Sequence, residues 1–133
     1  MKIDTSTGSI EFRGGRLDPA LTKNAFLSTP FASEAVVTVD NGPWVTYDLK
    51  LEDAAAASVV FEDQRLREVR LAITDPEESR GDWTETVELA RKERHDTWLR
   101  EELGDIRGRF AWGSVESVFD PRALCSQIII RYS

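Results

Sequence analysis

One histidine and one cysteine limit the chemistry that this chain of 133 residues can perform. Catalysis built from side chains commonly uses histidine as a base or cysteine as a nucleophile. His95 falls on a predicted helix with no nucleophile placed beside it, so we expect a boundary residue that hydrogen-bonds a carboxylate such as Glu88. A general base or a pH-sensitive contact is the functional alternative. Cys125 begins the last predicted strand, where a free cysteine usually behaves as a small buried hydrophobe.

Metal and phosphate sites have little support in the sequence. The acidic loop at 75–82 offers carboxylates to calcium, but Gly81 is misplaced for an EF-hand loop. The pair Gly14-Gly15 lacks the spacing of a phosphate-binding loop, and a hairpin or bulge is its expected use. We therefore expect neither a metal nor a cofactor.

The aromatic residues indicate a binding surface. Four tryptophans occur in this short chain, and Trp44 has the polar parity of its predicted strand. Beside Asp40, Asp48 and Glu52, an exposed Trp44 would form an aromatic anchor with an acidic rim, because tryptophan contributes strongly to interface energies. The alternative is that the long helix covers this face of the sheet.

A second hypothesis, from another functional class, places a small-ligand or enzymatic pocket between the long helix and the sheet. Arg94, His95 and Trp98 lie close together on that helix and would line such a pocket with a sheet carboxylate. A deep cavity at His95 would favour this hypothesis, whereas a filled core would remove it.

The periodicity of apolar residues predicts an α+β fold, with one long and one short helix packed on a mainly antiparallel sheet. The predicted order is ββ–α–ββββ–α–ββ in a single domain, 1–133. Asn41-Gly42 is a hairpin signal, and the alternation after it predicts that Val45 and Tyr47 face the core. The predicted strands are Lys2–Thr5, Ser9–Arg13, Glu34–Asp40, Trp44–Leu51, Ala56–Glu62, Leu66–Thr74, Phe110–Phe119 and Leu124–Tyr132. The run 54–57 has a helical alternative.

Two helices are predicted from their caps. Asp18-Pro19 is typical of a helix start, and Pro30 ends this short helix by about Thr29. The long helix is predicted to begin at Asp82, with a capping box closed by Glu85, and to end at Gly104. Its expected apolar stripe consists of Trp83, Val87, Ala90 and Trp98, with Leu99 and Leu103 on an adjacent ridge.

Composition and charge limit the classes of partner that this chain can bind. The net charge is −7, and the excess lies in residues 34–63, where seven carboxylates accompany one lysine. Such a field repels a phosphate backbone and attracts a basic protein. The sequence has no apolar segment long enough to cross a membrane, no signal peptide and no cysteine pair, so we expect a cytoplasmic protein. A third hypothesis is a structural or oligomerisation module that uses an exposed edge strand, which the mass in solution would test, and the oligomeric state stays open.

The end of the chain carries a resemblance. Residues 112–121 read WGSVESVFDP, and residues 126–132 read SQIIIRY with alternating isoleucines. This ending resembles that of small uncharacterised bacterial proteins, some of which are similar to immunity proteins kept beside secreted toxins. The resemblance covers about the last quarter of the chain and implies a terminal hairpin and an inhibitor that acts by binding a toxin. No functional residue carries over from it.

Overall fold

The computed structural model describes residues 1–74, 84–122 and 125–133. In those ranges the chain forms ten strands and two α-helices. The strands are β1 (Lys2–Ile3), β2 (Ile10–Phe12), β3 (Gly15–Leu17), β4 (Val36–Asn41), β5 (Trp44–Glu52), β6 (Ala55–Glu62), β7 (Arg65–Ile73), β8 (Arg107–Phe110), β9 (Gly113–Asp120) and β10 (Cys125–Tyr132). The helices are α1 (Lys23–Leu27), followed by a 3-10 turn at Pro30–Ala32, and α2 (Glu85–Leu103). The predicted fold class and element order are confirmed.

The main sheet is antiparallel and has seven strands in the described ranges, in the order β4-β5-β6-β7-β10-β9-β8. Strand β10 lies between β7 and β9, which explains its run of isoleucines. Ile128 and Ile130 are fully buried on one face, and Ile129 is 8% exposed on the other. The predicted central position of this strand is confirmed, and Ile129 is buried on its second face among neighbouring side chains rather than under either described helix.

Local turn chemistry sets most of this topology. Gly42 has a positive φ of 63° in the turn after Asn41, and the β4–β5 hairpin predicted from Asn41-Gly42 is confirmed. Gly14-Gly15 forms the hairpin between β2 and β3, in which Phe12 pairs with Gly15. The helical alternative for 54–57 is wrong, because β6 begins at Ala55 and pairs along its length with β5.

Two predicted elements need correction. The short helix begins at Lys23, where the Thr22 hydroxyl accepts a hydrogen bond from the N–H of Ala25. Asp18 instead closes a turn by accepting from the N–H of Ala20, a use of aspartate that looks like a helix cap in sequence. The predicted strand 110–119 is interrupted by a turn at 111–112, which separates β8 from β9.

Helix α2 ends as expected but buries a different face. Gly104 closes it in the left-handed conformation, with φ of 83°. Thr84 is its N-cap; the predicted cap Asp82 and Trp83 lie outside the described residues. The expected apolar stripe is only partly right, since Ala90 is exposed, whereas Trp98 packs against the core. On the predicted adjacent ridge, Leu99 is buried and Leu103 packs against the core. The buried side chains of α2 are Glu88, His95 and Leu99.

Both helices and the small sheet β1-β2-β3 share one hydrophobic core with the main sheet. On the α1 side, Phe26 contacts Tyr47 and Phe61, with ring centroids 5.4 and 5.3 Å away. On the α2 side, His95 meets Ser126. Directly opposite residues of neighbouring strands share a face, so the register can be followed across the sheet. The face that carries Ser126 also carries Ile128, Leu71, Ala57, Leu49 and Tyr47.

Candidate functional site

The second face of the main sheet has no helix packed on it in the described ranges. Because side chains alternate along a strand, Trp44 and Asp48 point away from the face that carries Tyr47 and both helices. The alternative that α2 covers Trp44 is therefore wrong. We call the uncovered side, which carries Trp44, Asp48, Ser58, Arg70 and Arg131, the open face.

Trp44 differs from the other described tryptophans. The indole N–H of Trp98 donates to the carbonyl of Met1 (3.4 Å), and that of Trp112 donates to the carbonyl of Thr5 (2.8 Å). Both bonds hold the N-terminal segment against the rest of the fold. Trp44 is 41% exposed on the open face, at the end of the β4–β5 hairpin. An exposed indole on a rigid strand suits a binding contact, because little conformational entropy is lost when it is covered.

The predicted acidic rim is only partly assembled. Asp48 shares the open face with Trp44 and accepts hydrogen bonds from the hydroxyls of Ser58 (2.7 Å) and Thr38 (3.3 Å). Asp40 is opposite Val45 in the register, so it lies on the other side of the β4 edge. It is exposed there, beside the hairpin turn.

Glu52 lies apart from Trp44, at the far end of β5. Its carboxylate accepts from the N–H of Arg13 (3.0 Å) and pairs with the amino group of Met1 (3.3 Å). The strand also has a register shift between Lys50 and Glu52. Glu52 thus fastens the N-terminal segment to the main sheet, a role that strand parity alone does not indicate.

The centre of the open face is a ladder of ion pairs. Glu68 pairs with Arg70 (2.6 Å) and with Arg131 (3.2 Å), and Arg131 also pairs with Glu116 (2.9 Å). The arginine charges in this ladder are balanced by neighbouring carboxylates. Partly exposed pairs of this kind add little stability each, but they make the centre polar.

Trp44 stands at the border of this polar centre. A depression of ≈ 510 Å³ is lined by Trp44, Val60, Arg67, Glu68, Arg70, Arg131 and Tyr132. The lining residue Arg67 pairs with Glu62 at 2.9 Å. A partner segment seated on Trp44 would therefore meet apolar surface and balanced charge on the depression side.

The residues of the pocket hypothesis are engaged in structural contacts. His95 has no exposed surface, and its Nε2 accepts from the N–H of Ile73 at 2.9 Å. Because a backbone N–H only donates, the neutral ring carries its proton on Nδ1, which lies 3.0 Å from the Ser126 hydroxyl. Arg94 donates to the carbonyl of Ile73 at 3.2 Å. Together these bonds fix the end of β7 to α2, while Trp98 packs against the core.

Electrostatics keep His95 neutral. Burial, and then the positive charges of Arg91 and Arg94, lower its pKa from 6.5 to about 4. A base that is fully buried and bonded at both ring nitrogens has no position from which to accept a substrate proton. His95 and Arg94 are thus held by structural hydrogen bonds, and a ligand pocket beside them stays a prediction.

The buried carboxylate of Glu88 lies in the same network as His95. The sequence predicted a hydrogen bond between these two side chains, but Glu88 has other partners in the structure. Glu88 is 1% exposed and accepts from the N–H of Ser126 (2.8 Å) and from Arg91 (2.7 Å). The expected bond from His95 to a carboxylate is replaced by a bond to Ser126. The Ser126–His95–Glu88 group is not a hydrolytic triad, because Glu88 contacts the serine backbone rather than the imidazole.

The remaining chemical candidates add no site. Burial raises the pKa of the half-buried Cys125 thiol, which disfavours the reactive thiolate. In the described part of the chain, no cluster of three metal-ligating side chains occurs. The calcium candidates Asp75, Glu77, Glu78 and Asp82 lie outside the described residues. No helix in the described ranges is long and apolar enough to span a membrane.

Sequence reasoning also missed the exposed valines of β4. Val36, Val37 and Val39 are 61%, 50% and 47% exposed. The segment was recognised as a strand, but its place at the sheet edge depends on the strand order. The signal in the sequence was three β-branched apolar residues in a strand that shows no alternation.

The chain is similar in structure to a known protein. No family model matches the chain, and no curated protein matches its sequence. Among solved structures, the chain is similar to a chain of the complex described as "Rhs1-CT in complex with cognate immunity protein RhsI1". The two share 19% identity with a TM-score of 0.63, over 99% of this chain and 86% of that one. At this identity the likeness concerns the fold.

Proposed function

We propose that this chain is a bacterial immunity-type protein, which neutralises a protein toxin by binding it. The observation that carries the proposal is the likeness, along nearly the whole chain, to a chain from a complex of a toxin with its cognate immunity protein. The uncovered sheet face with an exposed Trp44 supports a binding role. The buried, fully bonded His95 supports the same choice over catalysis.

The proposed binding surface is the part of the open face around Trp44. Trp44 would serve as the apolar anchor, and Asp48 and Asp40 would supply negative charge on the two sides of the nearby edge. Glu52 is left out, since its carboxylate is taken by Met1 and Arg13. The excess of carboxylates in residues 34–63 favours a toxin with a basic contact surface.

We place the protein in the cytoplasm as part of the same proposal. Its one cysteine, Cys125, forms no disulfide, which fits a reducing compartment. An inhibitor that acts by binding must be present in the compartment where the toxin acts, and we propose that this compartment is the cytoplasm.

Co-expression tests this function. A bacterial host would express a candidate toxin domain, taken from the gene that neighbours the gene of this chain, alone or together with this chain. We expect growth to stop with the toxin domain alone and to be restored by this chain, but not by an unrelated immunity protein of similar size. Growth arrest that persists although this chain is expressed in folded form would contradict the proposal.

A further inference from the structure

The outer edge of β4 exposes apolar side chains and has no strand paired to it in the described ranges. Val36, Val37 and Val39 each expose about half of their surface or more. A strand at a sheet edge presents a row of backbone N–H and C=O groups that can pair with another strand. An edge of six residues is long enough to accept a short extended segment.

The opposite edge of the same sheet shows how an edge is protected. Strand β8 has four residues, and its Arg107 and Arg109 are exposed. Short length and exposed cations are devices that keep a sheet edge from pairing. Strand β4 has neither Lys nor Arg. Its protective features are a register shift between Val37 and Val39 and the exposed carboxylate of Asp40, and the valines remain exposed.

The β4 edge is continuous with the surface around Trp44. In the register, Val36 lies opposite Asp48 and Val39 lies opposite Thr46, so both valines belong to the open face. Asn41, at the end of β4, lies opposite Trp44. A strand added to β4 would thus place alternate side chains beside two valines and within reach of Trp44.

Charge distinguishes between the possible occupants. The segment 34–63, which includes β4, β5 and β6, carries seven carboxylates and one lysine. Glu52, Asp53 and Glu62 are ion-paired, so the negative charge that matters at the β4 edge is that of Asp40 and Asp48 beside it. A second copy paired edge to edge would bring two such acidic segments together, which is repulsive. A cationic segment would be attracted instead, with Asp48 on one side of the edge and Asp40 on the other.

We infer that β4 is a strand-addition site for an extended segment of the toxin that alternates apolar side chains with Lys or Arg. The inference rests on the proposed function and specifies how the toxin is held. Backbone hydrogen bonds to β4 would provide affinity, and the valines with their flanking carboxylates would provide selectivity for a cationic strand.

Calorimetric titration of the purified chain with the toxin domain tests this site. Val39→Lys places a cation on the β4 edge, where it opposes a cationic strand and imitates the protection of β8. Leu89→Lys is the matched control, because Leu89 is 48% exposed on α2 and Val39 is 47% exposed on β4. We expect Val39→Lys to weaken binding by at least about tenfold, and Leu89→Lys to leave the dissociation constant within about twofold.

The outcomes separate this inference from the function on which it rests. Wild-type binding that Val39→Lys leaves unchanged would overturn strand addition at β4 while the inhibitory function stands. Absence of wild-type binding would overturn both. A dimer of this chain that Val39→Lys dissociates would assign the edge to a second copy and contradict the inference.

A second measurement covers the case in which Val39→Lys disturbs the fold. Amide hydrogen exchange of the wild-type complex reports on backbone pairing without any substitution. We expect slowed exchange in β4 and unchanged exchange in β8 on addition of the toxin domain. Slowing at β8 alone would overturn the inference.

Discussion

His95 shows how a residue with catalytic potential becomes structural. Its two ring nitrogens contact Ile73 of β7 and Ser126 of β10, so the imidazole links α2 to two strands through hydrogen bonds. Buried polar groups are costly unless they are bonded, and here each nitrogen has a partner. The position of His95 on a helix was readable from sequence, but its partners, 22 and 31 residues away, were not.

The neutral state of His95 predicts a pH-dependent stability. The unfolded chain protonates His95 near pH 6.5, whereas the folded chain does so only near pH 4. The unfolded state therefore binds the extra proton as pH falls, and stability that is present above pH 6.5 is lost toward pH 4. We expect the free energy of unfolding to be lower by about 2 kcal/mol at pH 5 than at pH 7.

Urea unfolding at the two pH values measures this difference. His95→Gln, which keeps an acceptor for the N–H of Ile73 and does not titrate, should reduce the difference to a small remainder. An equal pH dependence in wild type and His95→Gln would show that other groups are responsible.

At the scale of elements, patterns that depend on one strand were predictable. The alternation in β5 placed Val45 and Tyr47 in the core, and both are 8% exposed. Pleating fixes that period independently of the neighbours. The β4–β5 hairpin was likewise predictable from Asn41-Gly42, although its two turn residues are Gly42 and Pro43, of which Gly42 supplies the positive φ.

Features that depend on distant elements were not predictable. The buried face of α2 contains Glu88, whereas a prediction from apolar periodicity leaves carboxylates out of the buried face. Glu88 is buried because its carboxylate accepts a hydrogen bond from the N–H of Ser126 on β10, and the helix sequence does not reveal this partner. Asp18 has the same local signature whether it caps a helix or closes a turn. For the candidate site, parity gave the shared face of Trp44 and Asp48. Glu52 serves a role apart from Trp44 because it pairs with the amino group of Met1, and strand parity does not reveal where the N-terminus lies. The edge position of β4 follows from the strand order, which a single strand does not reveal either.

Gly42, in the β4–β5 turn, and Gly113, at the start of β9, should respond unequally to substitution by alanine. Both Gly42 and Gly113 have positive φ, of 63° and 152°. A Cβ at Gly42 meets open space, whereas a Cβ at Gly113 would overlap the carbonyl oxygen of Arg131. We expect Gly42→Ala to lower the free energy of unfolding by about 1 kcal/mol and Gly113→Ala by about 3 kcal/mol or more. Chemical denaturation measures both, and equal losses would contradict the close approach at Gly113.

At the scale of the whole molecule, charge is distributed unevenly. The carboxylates of residues 34–63 lie toward the β4 side, while the arginines of the open-face centre are paired with glutamates. A long-range field of this kind acts mainly on the rate at which a charged partner arrives.

Association with the toxin domain should therefore depend on salt. We expect the association rate constant to fall about tenfold when NaCl is raised from about 50 mM to about 500 mM, with a smaller change in dissociation. Stopped-flow tryptophan fluorescence measures both rates. The variant with Asp40→Asn and Asp48→Asn should show a shallower salt dependence, and a rate independent of salt would argue against a basic contact surface.

A stoichiometric titration distinguishes inhibition by binding from inhibition by catalysis. Residual activity of the purified toxin domain would be measured as this chain is added at a concentration far above the dissociation constant. We expect toxin activity to decrease linearly up to one equivalent of this chain and to recover when the complex is separated. Complete and lasting inactivation by a small fraction of an equivalent would reveal catalysis and contradict inhibition by binding.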